Sequence, residues 1–182
     1  HMKIPVGLFL IILVFLTYSQ VLEYEFLNFD DTQYVTENTH ITKGFDYKFV
    51  IWAFTQSYAS NWHPLTWLSH MLDFEIYGLD PLGHHLTNLT FHIFNILLLF
   101  GVLLKMTGRV WRSAFVAFLF ALHPLNVESV AWIAERKNVL SGFFFFLTLW
   151  VYIYYLEKKH YYCIVFLFFG LGLMAKPMLV TL

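Results

Sequence analysis

The sequence predicts an all-α, polytopic membrane bundle, and three observations carry that reading. Of its 182 residues 59% are apolar and 13% are charged, about half the charge of an ordinary soluble domain. The apolar residues gather into long runs separated by short polar connections, the pattern of helices that cross a bilayer needing roughly 20 residues each. The basic residues of the short connections fall on one of the two sides such a bundle would have.

The first run, Ile4 to Leu22, is uncharged and long enough to span once. Lys3 precedes it, as in a secretory signal, but no small-residue cleavage site follows, so the run reads as a retained anchor. The leading His1-Met2 reads as a cloning scar. Further runs cover Leu86 to Leu104, Ser113 to Val127, Asn138 to Leu156 and Tyr161 onward, which makes five expected spans at about 4–22, 86–104, 113–127, 138–156 and 161–182. The last run resumes after Lys176-Pro177 and stops without a polar flank, so the chain reads as the first half of a larger polytopic protein. No internal repeat is found. The single cysteine, Cys163, excludes an intrachain disulfide.

Lys3, Lys105, Arg109, Arg112, Lys158 and Lys159 fall on one side if the helices alternate, and that side is then cytoplasmic. The opposite side receives the loop 23–82, with nine acidic residues, and the connection carrying Glu128 and Glu135, so eleven of the twelve acids lie there. Within that loop Leu65, Leu68, Leu72 and Ile76 recur at helical spacing, while Ser69, His70 and Asp73 fall elsewhere around the turn. An amphipathic helix is expected, with Pro64 in its first turn, and the loop is expected to lie on the membrane and form a pocket against it. Trp52, Trp62 and Trp67 suit the headgroup level.

The most informative feature is Asp30-Asp31, eight residues past the first run. It puts adjacent carboxylates on a loop at the mouth of a spanning helix, where ionisable groups more often work than hold structure. The plain alternative is a solvated pair capping a short helix at Thr32. Cations for phosphate are few on this side. Arg136 and Lys137 open the fourth run, where snorkelling at a helix end is the ordinary reading. Lys176 would lie about 22 Å along a helix begun at Tyr161, deep enough to need a partner, either a lipid phosphate or an acid such as Glu128. His63 and His123 each precede a proline and are expected to shape the pocket and contact phosphate or sugar. His63 with His70, and His85 with His92, are seven apart, but with no HExxH string no metal site is read from them. Asn88, His92 and Asn95 fall on one helix face and are expected to turn away from lipid. Asn88-Leu89-Thr90 matches a glycosylation sequon inside a membrane run and is discounted.

Four strings together carry a resemblance: Phe29-Asp30-Asp31-Thr32-Gln33-Tyr34-Val35, Trp62-His63-Pro64-Leu65-Thr66-Trp67, His123-Pro124-Leu125-Asn126-Val127-Glu128 running on to Lys137, and Ala175-Lys176-Pro177-Met178. In this order they resemble the membrane half of bacterial tetratricopeptide-repeat proteins and of the animal transmembrane and tetratricopeptide-repeat O-mannosyltransferases, within the GT-C glycosyltransferases. The resemblance implies a GT-C-like bundle and transfer of a sugar, mannose among the candidates, from a polyprenyl-phosphate donor to a protein or glycan hydroxyl outside the cytoplasm. It implies Asp30 as base, with Asp31 orienting it, binding acceptor or sugar, or holding a divalent cation. Donor contacts would come from His63, His123, Glu128, Arg136, Lys137 and Lys176. The site would face the periplasm of a bacterial inner membrane, or the lumen if the chain is eukaryotic. Membrane lipid is a further partner, no nucleic acid is expected, and helix faces left uncovered in a first half would favour oligomers. Two readings compete with this one. The first is a non-catalytic membrane scaffold that keeps the fold and binds lipid or a partner. The second, a transporter, is disfavoured because the charges avoid the midplane.

Overall fold

The computed structural model describes residues 2–181; the leading His1 and the closing Leu182, where the expected scar and fifth span have their ends, lie outside them. Eight α-helices form, with no strand among the described residues. They are α1 (Lys3–Tyr18), α2 (Tyr47–Thr55), α3 (Pro64–Tyr77), α4 (Pro81–Thr107), α5 (Val110–Leu122), α6 (Leu125–Ala131), α7 (Arg136–Glu157) and α8 (Tyr162–Ala175).

Helix α4 is the axis of the bundle, with α1, α3, α5, α6 and α7 packed on it and α8 on α7. Its limits are encoded locally. The Asp80 carboxylate accepts the Leu82 N–H at 3.1 Å with Pro81 in the first turn, and Gly108 closes the far end at φ +66°, its N–H donating to the Leu104 carbonyl. A left-handed residue in that place favours glycine. The helix starts five residues before the apolar run does, because His84, His85 and Asn88 are buried against protein and need no apolar disguise. Leu10, Val14 and Tyr18 of α1, Leu89, Ile96 and Phe100 of α4, and Ala117 and Ala121 of α5 make one core. The two alanines let backbones approach closely, which drives helix association where lipid removes the hydrophobic gain.

Three helical stretches are long and apolar enough to cross a membrane: Lys3–Glu23, Pro81–Thr107 and Ile133–Glu157. The expected third span is not straight. Backbone at His123 is extended and Pro124 follows, so α5 and α6 meet at 64° and pass as a fourth span only if taken together. The expected fifth span also ends early. Lys176 is extended ahead of Pro177, the conformation a proline imposes on its predecessor, which leaves α8 as a shorter apolar helix followed by a 3₁₀ turn over Pro177–Thr181.

The loop helix α3 forms as expected. Thr66, Trp67, His70, Met71 and Asp73 are buried, whereas Leu72 and Ile76 are 51% and 60% exposed. In water the leucine stripe would turn inward. Beside a bilayer the outside is the apolar solvent, and the polar stripe finds its partners inside.

Truncation separates the two faces. Met71→Ala should lower stability by about 2–5 kcal/mol and Leu72→Ala by about 0.5 kcal/mol or less, read as denaturation in detergent micelles.

Candidate active site

The chain between α1 and α2 folds back over the break that separates α6 from α7, and Asp31 makes the join. Its side chain is fully buried; one oxygen accepts the Leu27 N–H at 2.9 Å and the other the Ala134 N–H at 2.8 Å. Burial pushes its carboxyl pKa up, and the two backbone N–H groups oppose that. Asp31 therefore ties the loop to the break and neither caps the turn at Thr32 nor faces a ligand. Asp30 is left half-buried on the rim, near enough to Tyr34 for its charge to reach the phenol.

Around that rim a polar chain runs from residue to residue. The Tyr34 hydroxyl is hydrogen-bonded to His63 Nε2 at 3.2 Å and accepts from Asn61. Lys137 lies over the Tyr34 ring, 4.9 Å from its centre, and pairs with Glu135 at 2.7 Å. Glu135 accepts from the Asn138 amide, which also donates to Ser129 Oγ at 3.1 Å, and the Lys176 ammonium donates to Asn138 Oδ1. Two ammonium groups and one acid leave this chain net positive. Lys176 thus finds its partner in Asn138, at the end of a helix, and not in Glu128. His63 is 1% exposed; burial, with the charges of Lys137 and Lys176, lowers its pKa to about 4, so it is neutral at physiological pH. His70 is displaced the same way, chiefly by burial.

Arg136 stands elsewhere. It has no exposed surface. Its Nη2 donates to Asp73 at 2.6 Å and to the His84 carbonyl at 2.9 Å, its Nη1 to Ser69 Oγ at 3.3 Å, and its Nε to Asn88 Oδ1. Thr87 donates to the other Asp73 oxygen at 2.9 Å. The expected phosphate role is corrected: this guanidinium is spent on α3 and α4, because a buried charge needs a full set of partners. His70, Asp73 and His84 are the one group among the described residues with ligand atoms at metal spacing, within 4.8 Å of one another. Arg136 already neutralises Asp73, so a divalent ion there would meet a guanidinium. Asp30 and Asp31 have no third such ligand among the described residues.

His123 and Glu128 are not drawn to the rim. His123 is exposed, and its Nδ1 accepts the Leu125 N–H at 3.3 Å, which steadies the bend. Glu128 opens into a separate cleft of about 580 Å³ with Glu23, Glu25 and Trp132. Sequence reasoning missed Tyr34, Glu135 and Asn138. Tyr34 lay in plain view three residues past the acid pair, but nothing in spacing brings Lys137 to its ring.

Fold and rim together define an α-helical, multi-pass membrane protein with a chain of polar groups at one end of the bundle. Comparison with characterised proteins narrows the class. The chain is similar to protein O-mannosyl-transferase tmtc2 of Xenopus laevis, 33% identical over 101 residues, which is 56% of this chain and 12% of that protein. It is similar to protein O-mannosyl-transferase TMTC2 of Homo sapiens, 32% identical over the same shares, and to TMTC1 of Homo sapiens, 31% identical over 144 residues, 73% of this chain and 16% of that one. These matches make the chain a partial homologue of the animal protein O-mannosyl-transferases, and it spans 12% to 16% of the length of these three. No protein-family description and no solved structure matches it.

The His63 displacement predicts a pH dependence. Its unfolded pKa near 6.5 exceeds the folded value of about 4, so the unfolded chain takes up the proton first and stability is lost as pH falls across that window. His63→Gln should flatten that slope in melting curves recorded from pH 7 to pH 4. Asp31 acts with the opposite sign, above its ordinary 3.8, so the variant is compared with wild type at each pH.

Proposed function

We propose that the chain is the N-terminal part of a glycosyltransferase that takes a sugar from a polyprenyl-phosphate donor and passes it to a protein hydroxyl outside the cytoplasm. The observation that carries this is the division within the acid pair. In a chain whose relatives are named protein O-mannosyl-transferases, Asp31 is consumed by the fold and Asp30 keeps a half-buried rim position beside Tyr34 and a net positive chain.

The chemistry follows from those placements. A glycosyl phosphate carries its own leaving group, so the enzyme must chiefly take a proton from the acceptor and stabilise the departing phosphate. Asp30 receives the acceptor proton as the hydroxyl oxygen bonds the anomeric carbon. The carbon–oxygen bond to phosphate breaks, and its electrons stay on a phosphate held by Lys137 and Lys176. Lys176 is held by a neutral carboxamide, Asn138, so a phosphate can replace that partner without leaving a charge unmatched, and Lys137 can share its ammonium between Glu135 and the phosphate. Neutral His63 and the Tyr34 hydroxyl supply hydrogen bonds between base and cations. Asp31 holds the loop, and Arg136 holds the helices under it. With Lys3, Arg109 and Lys158 at the other end of their helices, the positive-inside rule turns the rim outward, to periplasm or lumen.

Asp30→Asn in the full-length protein should cut sugar transfer from polyprenyl-phosphate-mannose by about 100-fold or more while donor binding is retained, measured with labelled sugar in membranes. Transfer at the wild-type rate would remove Asp30 as base, and transfer from no polyprenyl donor would favour a binding scaffold.

A further inference from the structure

A second cavity begins where the polar chain ends. Between α4, the bend of α5 into α6, and the first turns of α7 lies a half-open cleft of about 210 Å³, whose lining includes Asn95, Asn126, Ser129, Asn138, Phe145 and Phe146. Three carboxamides and a hydroxyl are an unusual lining for a bundle whose outward surface is apolar. Asn95 is 3% exposed; its amide donates to the Val139 carbonyl at 2.9 Å, but its Oδ1 has no partner. An acceptor buried without a donor is costly, and more so away from water. Asn126 donates to the Phe120 carbonyl at 2.6 Å, which fixes its amide at the mouth.

The cleft shares a wall with a cavity of about 280 Å³ beside Lys176, and Asn138, Gly142 and Phe145 line both. Gly142 keeps that wall thin: a Cβ there would stand 3.1 Å from Asn95 Nδ2. A ligand spanning the two cavities would put one end against amides and rings and the other against an ammonium.

We propose that the cleft is the subsite for one sugar ring of the donor, with the phosphate joined to it lying beside Lys176. The proposal rests on the glycosyltransferase reading above and adds the residues that recognise the sugar. Three properties point to a sugar. A hydroxyl can donate to Asn95 Oδ1 and accept from an amide at once, which lipid cannot. Phe145 and Phe146 stand edge to face, 86° apart, so one ring face offers the apolar surface that the C–H face of a pyranose packs against. The volume, below the roughly 300–1,000 Å³ of sites for larger ligands, admits a single ring and excludes an oligosaccharide.

The test compares two probes, polyprenyl-phosphate-mannose and sugar-free polyprenyl phosphate, binding to the full-length protein in detergent. Asn126→Ala and Gly142→Ala are the cleft variants, Lys176→Gln is the phosphate variant, and melting curves confirm that each is folded. The cleft variants should lose about tenfold in affinity for the mannose-bearing probe, the worth of one good hydrogen bond, and bind the sugar-free probe as wild type does; Lys176→Gln should weaken both. Cleft variants that bind the mannose-bearing probe as wild type does, or that weaken both probes equally, would overturn the subsite and leave a cleft that holds water, with the glycosyltransferase reading intact. Wild-type protein that binds neither probe would overturn the donor reading and the subsite with it.

Discussion

The rim end of this bundle depends on one buried guanidinium. Arg136 has no exposed surface and reaches Asp73 and Ser69 of α3 together with Asn88 and the His84 carbonyl of α4. A single buried pair often adds little net stability, because desolvation offsets the attraction, yet breaking one leaves an uncompensated charge. That asymmetry gives Arg136 its role. The loop helix buries Trp67 and Met71 in an apolar core while Leu72 and Ile76 face outward. The polar contacts of Arg136 add a direction to that packing.

The same economy governs the breaks. Where α5 ends and α6 gives way to α7, carbonyls lose their helical donors, and in a bilayer no water replaces them. Helix α4 meets them with side chains. Asn88 donates to the Val130 and Trp132 carbonyls and His92 to the Ala121 carbonyl, while Asn95 donates to the Val139 carbonyl within the first turn of α7. The polar stripe of α4 thus keeps the breaks open as backbone features, and the breaks turn Glu135, Lys137 and Asn138 toward one rim. Asp31 completes the arrangement by clasping Ala134 from the loop side, which sets its neighbour Asp30 beside the rim. One carboxylate is sacrificed to position the other.

Much of this was legible in the residues. Hydrophobic runs located the helices, and the inward face of Asn88, His92 and Asn95 followed from the penalty lipid sets on amides and imidazoles. The His-Pro string at His63 marked a helix start at Pro64, whereas the bend at Pro124 falls inside a run that read as one span. The role of Arg136 was not legible, since its partners lie 48 to 67 residues away in the chain and an arginine at a helix start reads as snorkelling or as a phosphate ligand. Which face of α3 is buried was not legible in the spacing, because periodicity reports that a helix has two faces and not which solvent each meets. Asp30 and Asp31 were indistinguishable by sequence, because only the fold supplies the N–H groups that consume one of them. For Lys176, sequence showed the need for a partner but not its identity, Asn138.

The most direct measurement is a double-mutant cycle on Arg136→Met and Asp73→Leu, with stability read by denaturation in detergent. If Arg136 is the structural pin, each single variant loses about 3–5 kcal/mol, and the double variant falls well short of the sum, with a coupling of about 3 kcal/mol. Additive losses, or an Arg136→Met protein that melts like wild type and has lost only donor affinity, would contradict the account and return Arg136 to the substrate.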